Sequence, residues 1–350
     1  MSPMPVRDAR PVRQVIDEEG VAAAIGLKHV AGVLYTYRCT LACAHCCFNC
    51  CPDRPDRYTP HGDALEHLCQ MHAIDRVVHI AGGEAMMYWD ALRRLCREAG
   101  RKGVAPHFIE TNASFAASPG LARERLAELR DCGVEGLLIS SDPYHQAMCP
   151  PAHFSHCLEA AREVFGERNV IAGAPSKAVA VENAAIARDP ARLADFTRRN
   201  PPLLSGRAGD DLYGMFQEKP LDRLVDAMWH GGEGVAHCAQ EFHPETIWEV
   251  HIDLHGNILT CCGIILGYTR EISLPDLMAQ GFLGRSVIVD AVYHTGPIGL
   301  LALAERHGYT PRSGYPQKCG LCWQVRRFLR PLYPDAIGPA EIYEEPKVTP

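Results

Sequence analysis

The chain has 350 residues, 47% hydrophobic and 22% charged, globular proportions that exclude extended disorder and suggest about two domains. Its net charge of -7 gives no electrostatic pull toward nucleic acid or anionic membranes. There is no apolar run of about eighteen residues and no apolar signal core near the N-terminus, so a cytoplasmic chain without a membrane span is expected. The unusual number is sixteen cysteines, which in a reducing compartment point to metal binding or redox chemistry.

From Gly32 to about Arg207, short apolar runs alternate with amphipathic stretches. Strands are predicted at 33–38, 76–81, 106–111, 136–140 and 169–173, with helices at 62–72, 90–100, 118–132 and 151–165. Ser118-Pro119 is a helix start, and Gly133 and Gly166 follow helix ends. Strand–helix alternation implies parallel strands with right-handed crossovers, in either an open doubly wound sheet or a barrel. Polar, glycine-rich or cysteine-rich residues follow four successive strands (39–51, 82–84, 110–112 and 140–142), and a shared decorated rim favours a barrel-like wall around one site. After about Asp211 the pattern changes. Residues 248–261 alternate around Gly256-Asn257 and read as a β-hairpin, helices follow near 274–280 and 298–307, and Cys319 to Cys322 open a basic helix. The stretch 342–350 reads as a loosely ordered tail.

The cysteines are unevenly placed. Cys69, Cys96, Cys132, Cys149 and Cys157 are scattered, two of them on helical apolar stripes, and read as small buried hydrophobes. Cys39, Cys43 and Cys46 have the spacing C-x3-C-x2-C on one short loop, a soft donor set suited to an iron–sulfur site. A four-iron cubane held by three thiolates keeps one iron open to an exogenous ligand. The loop and its spacing resemble the radical S-adenosylmethionine (SAM) superfamily over roughly residues 32–207, where SAM chelates the open iron. Cys43, Cys47 and Cys50 share the spacing. The first register is preferred because Cys39 follows the first strand and His45 precedes the third cysteine, a position that in the family helps form the adenine side. Cys47, Cys50 and Cys51 are then unassigned, and tetrahedral zinc is the competing functional reading.

Further motifs extend the resemblance. Gly82-Gly83-Glu84 resembles the family's Gly-Gly-Glu element, in which the carboxylate accepts from the SAM ammonium, although Ala85 stands where the family usually has proline. Thr111-Asn112 and Ser140-Asp142 end the third and fourth strands; they are candidate cofactor contacts, or simply helix caps and turns. Arg207 is a candidate partner of the cofactor carboxylate or the substrate, with a surface ion pair as the alternative, and residues 144–146 face the same rim. Cys238, Cys261, Cys319 and Cys322 resemble the shortened SPASM (twitch-like) domain that holds an auxiliary 4Fe–4S cluster; Cys262 could replace Cys261, and structural zinc is the alternative.

The resemblance implies a partial (β/α)6 TIM-like barrel with a smaller C-terminal α+β auxiliary-cluster domain. The boundaries expected are an N-terminal extension at 1–30, the radical SAM core at 31–215, the auxiliary domain at 216–335 and a tail at 336–350. It implies a SAM-binding 4Fe–4S cluster, SAM, an electron donor such as flavodoxin or ferredoxin, and a peptide or small-molecule substrate. In the implied mechanism one electron cleaves SAM to methionine and a 5′-deoxyadenosyl radical, which removes hydrogen from an unactivated carbon. An iron–sulfur electron-transfer or sensor protein and a zinc-stabilised binding module are the competing readings. The strand-end motifs argue against the first, because a carrier needs no pocket, and metal analysis of anaerobically purified protein decides the second.

Overall fold

In the computed structural model, residues 8–224 and 238–345 are described, so 1–7 of the predicted extension, 225–237 of the predicted auxiliary domain and 346–350 of the predicted tail lie outside the described residues. The chain divides into two compact units. The first comprises Met1–Leu41, Pro55–Asp189 and Glu249–Gly256; the second comprises Ala42–Arg54, Pro190–Trp248 and Asn257–Pro350. Two short segments therefore cross the linear boundary expected near residue 215: the greater part of the cysteine loop groups with the second unit, and Glu249–Gly256 groups with the first.

The first unit is an open parallel sheet flanked by helices, a partial barrel. Its strands are β1 (Val30–Thr36), β2 (Val77–Gly82), β3 (Phe108–Thr111), β4 (Gly136–Ile139), β5 (Val170–Ala172) and β6 (Glu249–Asp253), in the order β5-β4-β3-β2-β1-β6. Every pairing within that order is parallel. The first five match the predicted strands within a few residues. All seven residues of β1 are buried, as the central strand of a parallel sheet covered on both faces requires. β6 was expected as one arm of a hairpin. On its other side it has a partner the sequence pattern does not announce: it pairs in parallel with β1, Gly32 opposite His251.

The helices His61–His72, Trp89–Arg101, Pro119–Asp131 and Pro151–Phe165 fall where periodicity placed them. Ser118 caps the third of these, its Oγ accepting from the Leu121 N–H at 3.2 Å, with Pro119 in the first turn. Trp89–Arg101 buries the stripe Leu92, Leu95, Cys96 and Ala99. The N-terminal extension is part of the core. Its helices Val12–Glu19 and Val21–Lys28 pack Val12, Val15, Ile16, Val21 and Ala24 against Val30, Val77 and Phe108 from the starts of three strands.

The second unit contains β7 (Asn257–Thr260) and β8 (Ile264–Tyr268), an antiparallel pair whose turn holds Cys261 and Cys262. Around them lie the predicted helix Leu274–Gln280, the helix Pro297–Arg306 close to its predicted limits, and Lys318–Leu329, which carries Cys319 and Cys322. The expectation of a loose tail is corrected for its described part: Ile342 is fully buried and Tyr343 stacks on Trp323 with ring centroids 4.7 Å apart. No described helix is long and apolar enough to cross a membrane.

Replacing Ile16 by Ala removes a nearly fully buried side chain from the base of the sheet, so chemical denaturation of the variant is expected to show a loss of about 2–5 kcal/mol. Replacing exposed Glu18 by Ala on the same helix should cost about 0.5 kcal/mol or less.

Candidate cofactor site

In the first unit, the ends of β1, β2 and β3 are drawn together by the backbone. Gly83 N–H donates to the Thr36 carbonyl at 2.7 Å and Glu84 N–H to the Arg38 carbonyl at 3.0 Å. A Cβ on Gly83 would lie 1.9 Å from the Arg38 carbonyl oxygen, and one on Gly82, whose φ is +112°, would lie 2.5 Å from that of Thr36. The glycine pair is thus demanded by the approach of two backbones. It delivers Glu84 to a buried position where Thr111 Oγ1 donates to both carboxylate oxygens (3.0 and 3.1 Å), Asn112 N–H donates at 2.8 Å and Met86 N–H at 3.1 Å. Burial nevertheless outweighs these donors and pushes the Glu84 carboxyl up to about 7.

Asn112 joins this carboxylate to the first cysteine. While its backbone N–H serves Glu84, its side-chain Nδ2 donates to Cys39 Sγ at 3.4 Å and to Thr40 Oγ1 at 3.0 Å. The Leu41 N–H also donates to Cys39 Sγ at 3.4 Å. N–H groups aimed at sulfur suit a thiolate that carries iron, whose potential they tune.

In the second unit the rest of the loop is a series of tight turns. Cys46 N–H donates to the Cys43 carbonyl at 3.0 Å, and Cys50 N–H donates to Cys46 Sγ at 3.3 Å. Hydrogen bonding from the Cys50 side chain, with the Cys50 and Phe48 N–H groups and the charge of Arg207, overcomes burial and holds the Cys46 thiol at about 5. Cys50 Sγ also lies 3.9 Å from the Phe48 carbonyl, an alternative acceptor for its single proton. Arg207 is occupied with the loop backbone: its Nη1 donates to the Cys43 and Cys50 carbonyls at 3.0 and 3.1 Å, and its Nη2 to Cys50 at 3.1 Å. Gly206, at φ +58°, lets that segment pass beneath the loop, since a Cβ there would lie 2.3 Å from the Cys47 carbonyl oxygen. His45 is half-buried within the loop.

At the end of β4, Asp142 caps the short helix Pro143–Gln146, accepting from the Tyr144 and His145 N–H groups at 2.8 and 3.0 Å, with His145 Nδ1 at 2.9 Å from its other oxygen. Ser140 N–H continues the ladder to the Thr111 carbonyl. The sequence did not single out Ser141, whose buried Oγ lacks a hydrogen-bond partner, as do both amide atoms of buried Gln146. Neighbouring hydroxyl residues at a strand end cannot be ranked without knowing which one the strand turns inward.

The second cysteine set also gathers. Burial raises the Cys261 thiol well above its ordinary range, reinforced by Glu241, Cys238 and Cys322, which lie close enough to act on it. Cys261 and Cys262 both have left-handed backbone, φ +47° and +49°, rare in residues with a side chain. Their carbonyls accept from Arg326 Nη1 at 3.1 and 3.2 Å, and Arg326 Nη2 donates to Ser205 Oγ at 3.0 Å. Arg326 is 2% exposed, and no carboxylate among the described residues pairs with it. The sequence offered it as part of a basic helix face. Cys319 is half-buried one helical turn before Cys322. The scattered cysteines meet their structural expectation: Cys96, Cys132, Cys149 and Cys157 are buried, burial pushing Cys149 up to about 11, while Cys69 is half-buried.

The family model of the radical SAM superfamily matches residues 33–168, the stretch running from β1 to the start of β5 and containing the cysteine loop, Glu84 and Asn112. Those residues are a radical SAM domain. That family implies a 4Fe–4S cluster, SAM, an electron donor and a substrate. None of the curated proteins matches the chain. Among solved structures it is similar to one titled "Crystal structure of BtrN in complex with AdoMet and 2-DOIA", at 14% identity and a TM-score of 0.40, covering 72% of this chain and 82% of that one. Likeness at that level says nothing of activity.

Because the Glu84 value is raised from 4.5 to about 7, folding favours its protonated form: this group's stabilising contribution is present below about pH 4.5 and is lost as pH rises through 7. In SAM-free protein the unfolding free energy of the wild type, relative to Glu84→Gln, should therefore fall by on the order of 3 kcal/mol between those limits, as read by denaturation at a series of pH values.

Proposed function

We propose that this radical SAM enzyme holds its SAM-binding 4Fe–4S cluster through Cys39, Cys43 and Cys46, and that Glu84 receives the SAM ammonium. The observation that carries the proposal is Asn112, which donates to the Cys39 sulfur and to the Glu84 carboxylate from two ends of one residue. The donor set fits the cluster: three thiols on one loop, two of them accepting N–H groups, and a Cys46 thiol held at about 5 so that it is a thiolate at neutral pH. When bound, the cluster and SAM supply one-electron cleavage of a carbon–sulfur bond and hydrogen abstraction from unactivated carbon. Thr111 and Asn112 orient the Glu84 carboxylate, leaving it able to accept a further charge-assisted hydrogen bond. Ser141 Oγ and the Gln146 amide are buried and unsatisfied, and are suited to polar groups of the cofactor or substrate. His45, Gly82, Gly83, Ser140 and Asp142 shape the remainder of the site. Arg207 acts on the loop carbonyls, keeping Cys43 and Cys50 in place.

Cys238, Cys261, Cys319 and Cys322 are proposed to hold an auxiliary 4Fe–4S cluster. No carboxylate among the described residues pairs with the buried Arg326 guanidinium, and a four-thiolate cluster beside it would supply an anion. With such a cluster the substrate is a peptide or small molecule, by analogy with relatives that carry the same extension, and a flavodoxin or ferredoxin donates the electron.

Anaerobic reconstitution with dithionite and SAM is expected to release 5′-deoxyadenosine, and Cys39→Ala, Cys43→Ala and Cys46→Ala each to abolish release. Release retained in Cys39→Ala and lost in Cys50→Ala would assign the cluster to Cys43, Cys47 and Cys50. Cys322→Ala should keep cleavage but lower the iron content and stop product formation. SAM affinity should weaken by up to about tenfold per unit as pH falls below 7, where Glu84 protonates, and Glu84→Gln should flatten that dependence.

A further inference from the structure

One face of the parallel sheet carries a polar row that the proposed cofactor chemistry does not use. On β1, Gly32 lies opposite His79 of β2 on one side and His251 of β6 on the other. A Cβ at Gly32 would stand 2.2 Å from His79 Nε2 and 2.8 Å from His251 Cδ2, so the two imidazoles lean over the glycine, ring centroids 5.5 Å apart. Glu249, two residues before His251, reaches the same point: its Oε1 lies 3.4 Å from His79 Nε2 and 3.2 Å from His251 Nε2. One ligand atom from each of the three lies within 4.8 Å of the others.

We propose that His79, His251 and Glu249 form a binding site for a divalent metal ion of the zinc class. Ligands bound at about 2.0–2.1 Å in a tetrahedron sit about 3.3–3.4 Å from one another, and the two carboxylate-to-imidazole separations match that edge. His79 is 1% exposed, and its ring nitrogens face carboxylate oxygens without an aligned hydrogen bond, so a metal at Nε2 would take that nitrogen and the Glu249 oxygen as ligands together. Its Nδ1 lies 3.0 Å from Glu110 Oε1, the carboxylate–histidine–metal arrangement that orients a ligating ring once the ring turns onto the metal. Phe108 stacks on the same ring, centroids 4.8 Å apart. Two imidazoles and one carboxylate leave one position of a tetrahedron open to a further ligand. Two nitrogens and an oxygen, with no sulfur, distinguish this site from both cysteine sets.

The test needs neither SAM nor turnover, so its failure is separate from failure of the proposed cofactor site. Cluster-loaded full-length protein is dialysed anaerobically against zinc, metals are counted by mass spectrometry, and the zinc shell is read by X-ray absorption at the zinc edge. The expected result is a single zinc with nitrogen and oxygen neighbours and imidazole scattering. Affinity should fall by about tenfold or more in His251→Ala and in Gly32→Ala, which keeps all three donors but fills the space between the rings, with iron content unchanged. Glu249→Gln, at a partly exposed position, should weaken zinc similarly and covers failure of the other variants to fold. A sulfur shell, zinc binding unchanged in Glu249→Gln, or no zinc at all would overturn the proposal and leave the row as an ion-pair network.

Discussion

Two strands of the sheet meet more closely at their ends than side chains allow. The chain meets that constraint with glycine at positions 82 and 83, where a methyl group would collide with the carbonyls of Thr36 and Arg38. Everything at the rim follows from that approach. It sets Glu84 under the end of β3, where Thr111 and Asn112 can hold it, and it leaves the Asn112 side chain within reach of Cys39. The Gly-Gly-Glu element is therefore a packing solution first and a ligand contact second. A larger residue at either glycine would displace the carboxylate and the cysteine's hydrogen-bond donor together.

Each unit holds, at a proposed cofactor position, a buried charge with no opposite charge paired to it among the described residues. In the first unit Glu84 accepts three N–H or O–H donors but no cation, and burial lifts its carboxyl toward neutrality. In the second unit Arg326 donates to backbone carbonyls, the Tyr343 hydroxyl and the Ser205 hydroxyl, with no carboxylate among the described residues paired to it. A lone buried charge costs several kcal/mol, so folds retain one where a ligand or cofactor supplies the opposite sign. The proposed ligands have the required signs: an ammonium for Glu84 and an anionic iron–thiolate cluster for Arg326.

The parts of this arrangement legible in the sequence were those fixed by local pattern. Strand and helix periodicities, the Ser118-Pro119 helix start and the residues after each strand depend on neighbours a few positions away, and they were read within a few residues. The parallel partner of β6 was not legible. Its alternation around Gly256-Asn257 is that of a hairpin arm, and only a register formed across more than 200 residues shows that Glu249–Asp253 lies beside β1. His79, Gly32 and His251 looked unrelated for the same reason. Arg326 read only as part of a basic helix, because nothing in its neighbourhood announces that its guanidinium will hold the turn at Cys261 and Cys262. The tail read as loose from its proline and glutamate content, whereas Ile342 and Tyr343 anchor it against Trp323.

The central claim is that the loop beginning at Cys39 carries a four-iron cluster with one iron left for SAM to complete. Electron paramagnetic resonance of the anaerobic, dithionite-reduced protein, recorded before and after SAM is added, tests it most directly. The account predicts a cubane signal whose g values shift when SAM binds, with the shift absent in Cys39→Ala. A reduced spectrum that SAM leaves unchanged in the wild type would contradict it.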